Sequence, residues 1–205
     1  MIQTLMKNWW LLAACGVLDA ACAVTSLFAL APDGSLTLRT FAATGTNLLL
    51  CRLSLAAGAC TVAGALWKSG KSRSWLLALN GAALGLFGFI PPLVWHRRVS
   101  FLPFALLLAV AAIGIVVFAW RAAFTLRRHF ADRWFLRLTA AAGAGFAVGF
   151  LVLGFGGIRL EPQSYLLWMS SWFGFCALCM LALSLRLNSL RIAVHRLANG
   201  ALPAQ

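Results

Sequence analysis

The sequence predicts an all-α, polytopic membrane protein: six transmembrane helices arranged as three parallel helical hairpins. Three observations lead there. Hydrophobic residues make up 62% of the chain and charged residues 10%, whereas an ordinary soluble domain carries about 25% charged residues. The apolar residues come in continuous runs of the ~20 residues that cross a ~30 Å hydrocarbon core at ~1.5 Å per residue. The runs also begin alike, with Trp and Leu ahead of a small residue. A soluble chain of 205 residues has nowhere to put so much apolar surface. A transmembrane barrel would need short alternating segments instead.

The first run, 9–31, opens on Trp9-Trp10, carries a lone Asp19 and ends at Pro32. Ala29-Leu30-Ala31 resembles a signal-peptide cleavage site, but the run exceeds the ~7–15 residues of such a segment. It reads as a retained helix. The second run, 41–67, is interrupted by Arg52. The third to sixth are 75–95, 101–120, 134–155 and 165–185. Turn-forming residues separate them: Pro32-Asp33-Gly34-Ser35, Lys68-Ser69-Gly70-Lys71-Ser72, Gly156-Gly157 and Glu161-Pro162. The whole chain, 1–205, is then one integral membrane domain. Its hairpins cover about 9–67, 75–124 and 134–187, and 188–205 form a tail.

The formal net charge is +13, and its distribution sets topology. One side of the expected membrane collects Lys7, Lys68, Lys71, Arg73, Arg121, Arg127, Arg128, Arg133, Arg186, Arg191 and Arg196. The other holds Arg39, Arg97, Arg98 and Arg159. Basic residues concentrate on the cytoplasmic side of membrane proteins, so both termini are expected in the cytoplasm, beside anionic lipid headgroups. No aromatic-basic platform or nucleic-acid motif accompanies the charge, so nucleic acid is not an expected partner. Tryptophans support the boundaries. Trp9, Trp10, Trp67, Trp75, Trp120 and Trp134 fall at the cytoplasmic ends, Trp95 and Trp168 at the other, and Trp172 a turn deeper.

The odd-numbered runs align. Trp10-Leu11-Leu12-Ala13 leads to Gly16, Trp75-Leu76-Leu77-Ala78 to Gly81, and Trp134-Phe135-Leu136 to Ala140. All three start from the same side, so the hairpins are parallel rather than inverted repeats.

These residues also carry a resemblance. Trp9-Trp10-Leu11-Leu12 with Gly16-Val17-Leu18-Asp19 and Trp75-Leu76-Leu77 with Gly81 are its first part. Leu126-Arg127-Arg128 before Asp132-Arg133-Trp134-Phe135-Leu136, and Leu185-Arg186-Leu187, continue it. In this order, over nearly the whole chain, the sequence resembles the HdeD family of bacterial acid-resistance membrane proteins. The resemblance implies a bacterial inner-membrane location and a non-enzymatic role in acid or envelope stress. It brings no catalytic residue with it.

The chemistry-bearing residues are few. Gly81-Gly85, Gly145-Gly149 and Ala141-Gly145 are small-xxx-small pairs; with Gly16 they suit close helix packing, within one chain or in a homo-oligomer. Cys15, Cys22, Cys51, Cys60, Cys176 and Cys179 all lie in the runs. Cys176-Ala177-Leu178-Cys179 has redox spacing, but no base lies within a turn of it, and buried thiols react slowly. Cys15, Asp19 and Cys22 share a helix face without a His, so no metal or cofactor is expected. His96, beside Arg97-Arg98, is the residue placed to respond to periplasmic pH. The only acids are Asp19, Asp33, Asp132 and Glu161, and no catalytic set is visible. Asp19 and Arg52 lie at membrane depth. On antiparallel neighbours they are expected to form an ion pair, supported by Asn47 or Thr44. Such a pair also suggests the alternative function, a small transporter or channel.

Overall fold

The computed structural model describes residues 6–28, 36–67, 75–94, 102–125, 130–155 and 162–200, with side chains over 6–27, 48–67, 75–90, 105–121, 134–155 and 167–194. Each described segment is helical: α1 (Trp9–Phe28), α2 (Leu36–Leu66), α3 (Trp75–Val94), α4 (Leu102–Thr125), α5 (Phe130–Phe155) and α6 (Pro162–Gly200). The prolines stand where helices tolerate them. Pro162 opens α6 and Pro103 lies in the first turn of α4, where an amide hydrogen has no intrahelical acceptor anyway. Pro91 and Pro92 fall in the last turn of α3.

Four stretches are long and apolar enough to cross a membrane: Trp9–Leu27, Leu48–Leu66, Trp134–Phe155 and Leu167–Val194. Shorter apolar stretches, Trp75–Ile90 and Ala105–Arg121, lie in α3 and α4. The outside of the bundle is apolar as well. Val17, Val148, Leu138, Leu178 and Leu185 are all exposed by 60% or more. This is the surface of a membrane protein, whose solvent is lipid.

Four helices run past the expected bounds, α4 and α5 among them at 24 and 26 residues. α2 begins at Leu36, five residues earlier, and runs for 31 residues. α6 continues through most of the expected tail, 39 residues to Gly200. From Arg186 to Asn199 the chain holds neither Gly nor Pro and is rich in Leu, Arg and Ala. Nothing there stops a helix until Gly200.

The helices close into a ring in chain order, each antiparallel to its neighbours. Three interfaces are close: α1 on α6, α2 on α3, and α4 on α5. The interfaces α1 on α2 and α3 on α4 are looser. α5 meets α6 mainly through long side chains. Glycine permits the close approaches. A Cβ at Gly58 would stand 2.5 Å from the Gly81 carbonyl oxygen and from the Gly85 amide nitrogen. Gly16 faces Leu181, and Gly143 faces Val116 and Ala112. Without side chains at these points, two backbones can share van der Waals contact along the interface.

The main core runs through the centre of the ring and draws on every helix. It includes Cys22, Leu50, Leu84, Phe87, Leu108, Ala112, Phe150, Met169, Trp172 and Phe173. A second cluster near the Trp9 end unites Leu12, Cys15, Ala57, Leu77, Phe118 and Met180.

Candidate functional site

The polar interior is centred on Asp19. Along α1, Leu12, Cys15, Gly16, Asp19, Cys22, Ala23 and Ser26 recur at helical spacing and are all buried. Asp19 is wholly buried, as are Cys15 and Cys22. It lies ten residues beyond Trp9, ~15 Å along the helix at ~1.5 Å per residue and so about half-way across a ~30 Å core. The residue is therefore at the depth where a charge costs most, at least ~2.5–3.5 kcal/mol on insertion scales.

Its hydrogen bonds lead to α2. Cys15 Sγ lies within hydrogen-bond reach of Asp19 Oδ2, at 3.5 Å. Cys15 Sγ lies 2.8 Å from Thr61 Oγ1, and either atom can donate. The Thr61 hydroxyl donates to the Ala57 carbonyl at 2.8 Å. Asp19 Oδ1 has no hydrogen-bond partner. On α3, Asn80 is also wholly buried, and neither its Nδ2 nor its Oδ1 has a partner. Buried polar atoms without partners are uncommon, because each forfeits its hydration; the cost is about 1–3 kcal/mol for a neutral group and more for a charged one.

Arg52 is not part of this site. It is exposed, whereas Ser54, Ala57, Gly58, Thr61 and Ala65 of the same helix are buried. Thr61 is nine residues on, and at about 100° per residue Arg52 points to the opposite side of α2. The expected pairing of Asp19 with Arg52 is therefore corrected. α2 turns its small and hydroxyl side chains toward α1 and α3 and its guanidinium to the exposed face. The supports expected from Thr44 and Asn47 lie outside the described side chains, and His96 lies outside the described residues. The described cationic side chains, Lys7, Arg52, Arg121, Arg137, Arg186 and Arg191, are all exposed.

The glycines divide. Gly16 and Gly81 are buried at helix crossings, with Gly81 against Thr61 and the Gly58 carbonyl. Gly149 is pressed on the Trp168 ring. Gly85 offers its backbone to Gly58, yet its own missing side chain faces open space, as does that of Gly145. Ala141 and Gly145 both lie on the exposed face of α5.

Tryptophan also divides. Trp10, Trp67, Trp75, Trp120 and Trp134 are each more than half exposed at one end of the bundle, as an interfacial belt requires. Trp172 instead is wholly buried, and Trp168 is partly buried beside it. Phe146 and Phe150 stack on both, with centroids 5.3–6.1 Å apart. These two tryptophans join α5 to α6 rather than marking the far interface. All six cysteines are free thiols, and Cys179 contacts Thr139 at 3.8 Å. Both line a cavity of ≈ 30 Å³ whose other walls are apolar, among them Leu77, Phe118 and Leu183.

Sequence reading missed three polar clamps. Asn8 Nδ2 donates to the Gly64 and Trp67 carbonyls, at 3.1 and 2.7 Å, and so satisfies the C-terminal end of α2. Ser54 donates to the Leu84 carbonyl and Ser170 to the Ala23 carbonyl, each at 3.0 Å. The available signal was a small polar residue on an otherwise apolar face. Comparison with protein-family models, with curated proteins and with solved structures gives no match.

Proposed function

We propose that this chain is a non-enzymatic inner-membrane protein of the HdeD type, acting in resistance to acid or envelope stress. In this reading six spans form three parallel hairpin repeats, with both termini in the cytoplasm. The observation that carries the architecture is the alternation around the ring. Each hairpin packs closely on the next hairpin and more loosely within itself. The aligned positions behave alike: Gly16 meets α6, Gly81 meets α2, and Ala140 joins Ala119 of α4 in a small core. The aligned Trp10, Trp75 and Trp134 are all exposed. α3, at 20 residues, and α4, at 24, reach ~30 Å and ~36 Å at ~1.5 Å per residue. Those lengths support counting both as spans.

The stress role rests on the ordered, chain-long motif resemblance. The deciding experiment is survival at low pH of a deletion strain complemented with the intact gene or an Asp19→Asn version. The deletion should lower survival and the intact gene restore it. Unchanged survival together with an intact envelope would overturn the reading. A C-terminal reporter should be active only on the cytoplasmic side, and periplasmic activity would reverse the topology.

The transporter or channel reading now rests on Asp19 alone, since Arg52 faces away. Flux into proteoliposomes across a pH gradient is its test.

A further inference from the structure

The hydrogens around Asp19 do not add up unless one more is present. Three polar contacts form a row: Asp19 Oδ2 to Cys15 Sγ at 3.5 Å, Cys15 Sγ to Thr61 Oγ1 at 2.8 Å, and Thr61 Oγ1 to the Ala57 carbonyl at 2.8 Å. The last acceptor is a backbone carbonyl, which brings no hydrogen. The thiol and the hydroxyl supply one hydrogen each. Two hydrogens do not give each of the three contacts a hydrogen of its own.

We propose that Asp19 is a proton-binding site at the centre of the bundle, its proton carried on Oδ2 and donated to Cys15. The row then runs in one direction. The carboxyl O–H donates to Cys15 Sγ, the Cys15 S–H to Thr61 Oγ1, and the Thr61 O–H to the Ala57 carbonyl. Every contact holds one hydrogen. The atom left over, Asp19 Oδ1, is the carbonyl oxygen of a neutral acid rather than half of a carboxylate, so a lone acceptor is the only unmet demand. The ligand is a proton taken from water. One O–H bond forms and no other bond breaks.

Among the described residues no cation lies against Asp19 to neutralise it. The ionisable neighbours of Asp19 are the thiols of Cys15 and Cys22 on α1 and Cys176 on α6. Cys60 and Cys51 of α2 adjoin Cys15 and Cys22 in turn. The described Lys and Arg side chains are all exposed. A buried carboxylate without a cation is costly, and a proton removes the charge outright. The site does not depend on the proposed stress role: a strain with normal acid survival could still carry a protonated Asp19.

Infrared spectroscopy tests this on the full chain in detergent at neutral pH. The chain has only three aspartates, Asp19, Asp33 and Asp132. An Asp33→Asn, Asp132→Asn variant grown on carboxyl-¹³C aspartate therefore carries Asp19 as its one labelled side-chain carboxyl. The expected result is an isotope-shifted carboxylic-acid C=O band and no labelled carboxylate bands. Labelled carboxylate bands without the acid band would overturn the proposal. Should the double variant fold poorly, the labelled wild-type chain is compared with Cys15→Ala. Removal of the thiol should shift the acid band to higher frequency, and Thr61→Val should shift the Cys15 S–H stretch. An acid band indifferent to Cys15 would refute the donated proton.

Discussion

Replacing Gly58 with Ala adds one methyl group where the α2 and α3 backbones pass closely. The new Cβ would lie 2.5 Å from the Gly81 carbonyl oxygen, 2.5 Å from the Gly85 amide nitrogen and 2.8 Å from Gly85 Cα. All three are backbone atoms, so no side-chain rotation can relieve the contact. Ordinary van der Waals contact begins near 3.4 Å, so α2 and α3 must part by about 1 Å, a gap that forfeits a quarter to a half of each dispersion contact across the interface. Overpacking of this kind costs up to about 3 kcal/mol, and Ala returns about 1 kcal/mol of helix propensity over Gly. The expected net loss is about 2 kcal/mol, or about 4–8 °C in Tm for a chain of this size. Gly85→Ala is the control. It lies one helix away at the same crossing, but its Cβ would meet nothing within 4 Å. It should match the wild type or gain up to about 1 kcal/mol. Thermal unfolding in mild detergent, followed by size-exclusion recovery, reads both. A Gly58→Ala chain as stable as the wild type, or a Gly85→Ala chain equally damaged, would refute the reasoning.

Three further outcomes are expected. Asn8→Ala removes both hydrogen bonds to the end of α2 and should cost about 1–2 kcal/mol; an unchanged melting temperature would show that water replaces the amide. A double-mutant cycle of Asp19→Asn and Arg52→Gln should be additive within about 0.3–0.5 kcal/mol, because Arg52 is exposed and Asp19 buried. A larger coupling would restore the ion pair. Cys15, Cys22 and Cys176 are wholly buried, so water-soluble maleimide should label them only after unfolding in strong detergent. Rapid labelling of the folded chain would reveal a water-filled path and favour transport.

Composition and run length were enough to indicate helices, their number and an apolar outer surface, because the bilayer imposes one length and one backbone solution on a membrane span. The same constraint brought Asp19 to notice, since any charge in such a run stands out. What the linear sequence left undecided was direction around each helix axis. In a nearly all-apolar helix the usual contrast between wet and dry faces is missing, so Arg52 was paired with Asp19 although small and hydroxyl residues at Ser54, Ala57, Gly58 and Thr61 mark the opposite face of α2 as the inner one. Trp168 reads as an interfacial residue, with Trp172 a turn deeper, for the same reason, and packing against Phe146 and Phe150 ties both to α5 instead. Gly81 and Gly85 look equivalent in sequence, yet only Gly81 needs its missing side chain to face a neighbour. That distinction depends on where a second backbone passes, and the row of contacts from Asp19 through Cys15 to Thr61 depends on the register of α1 against α2. Both are properties of helix pairs, and no single run of residues contains them.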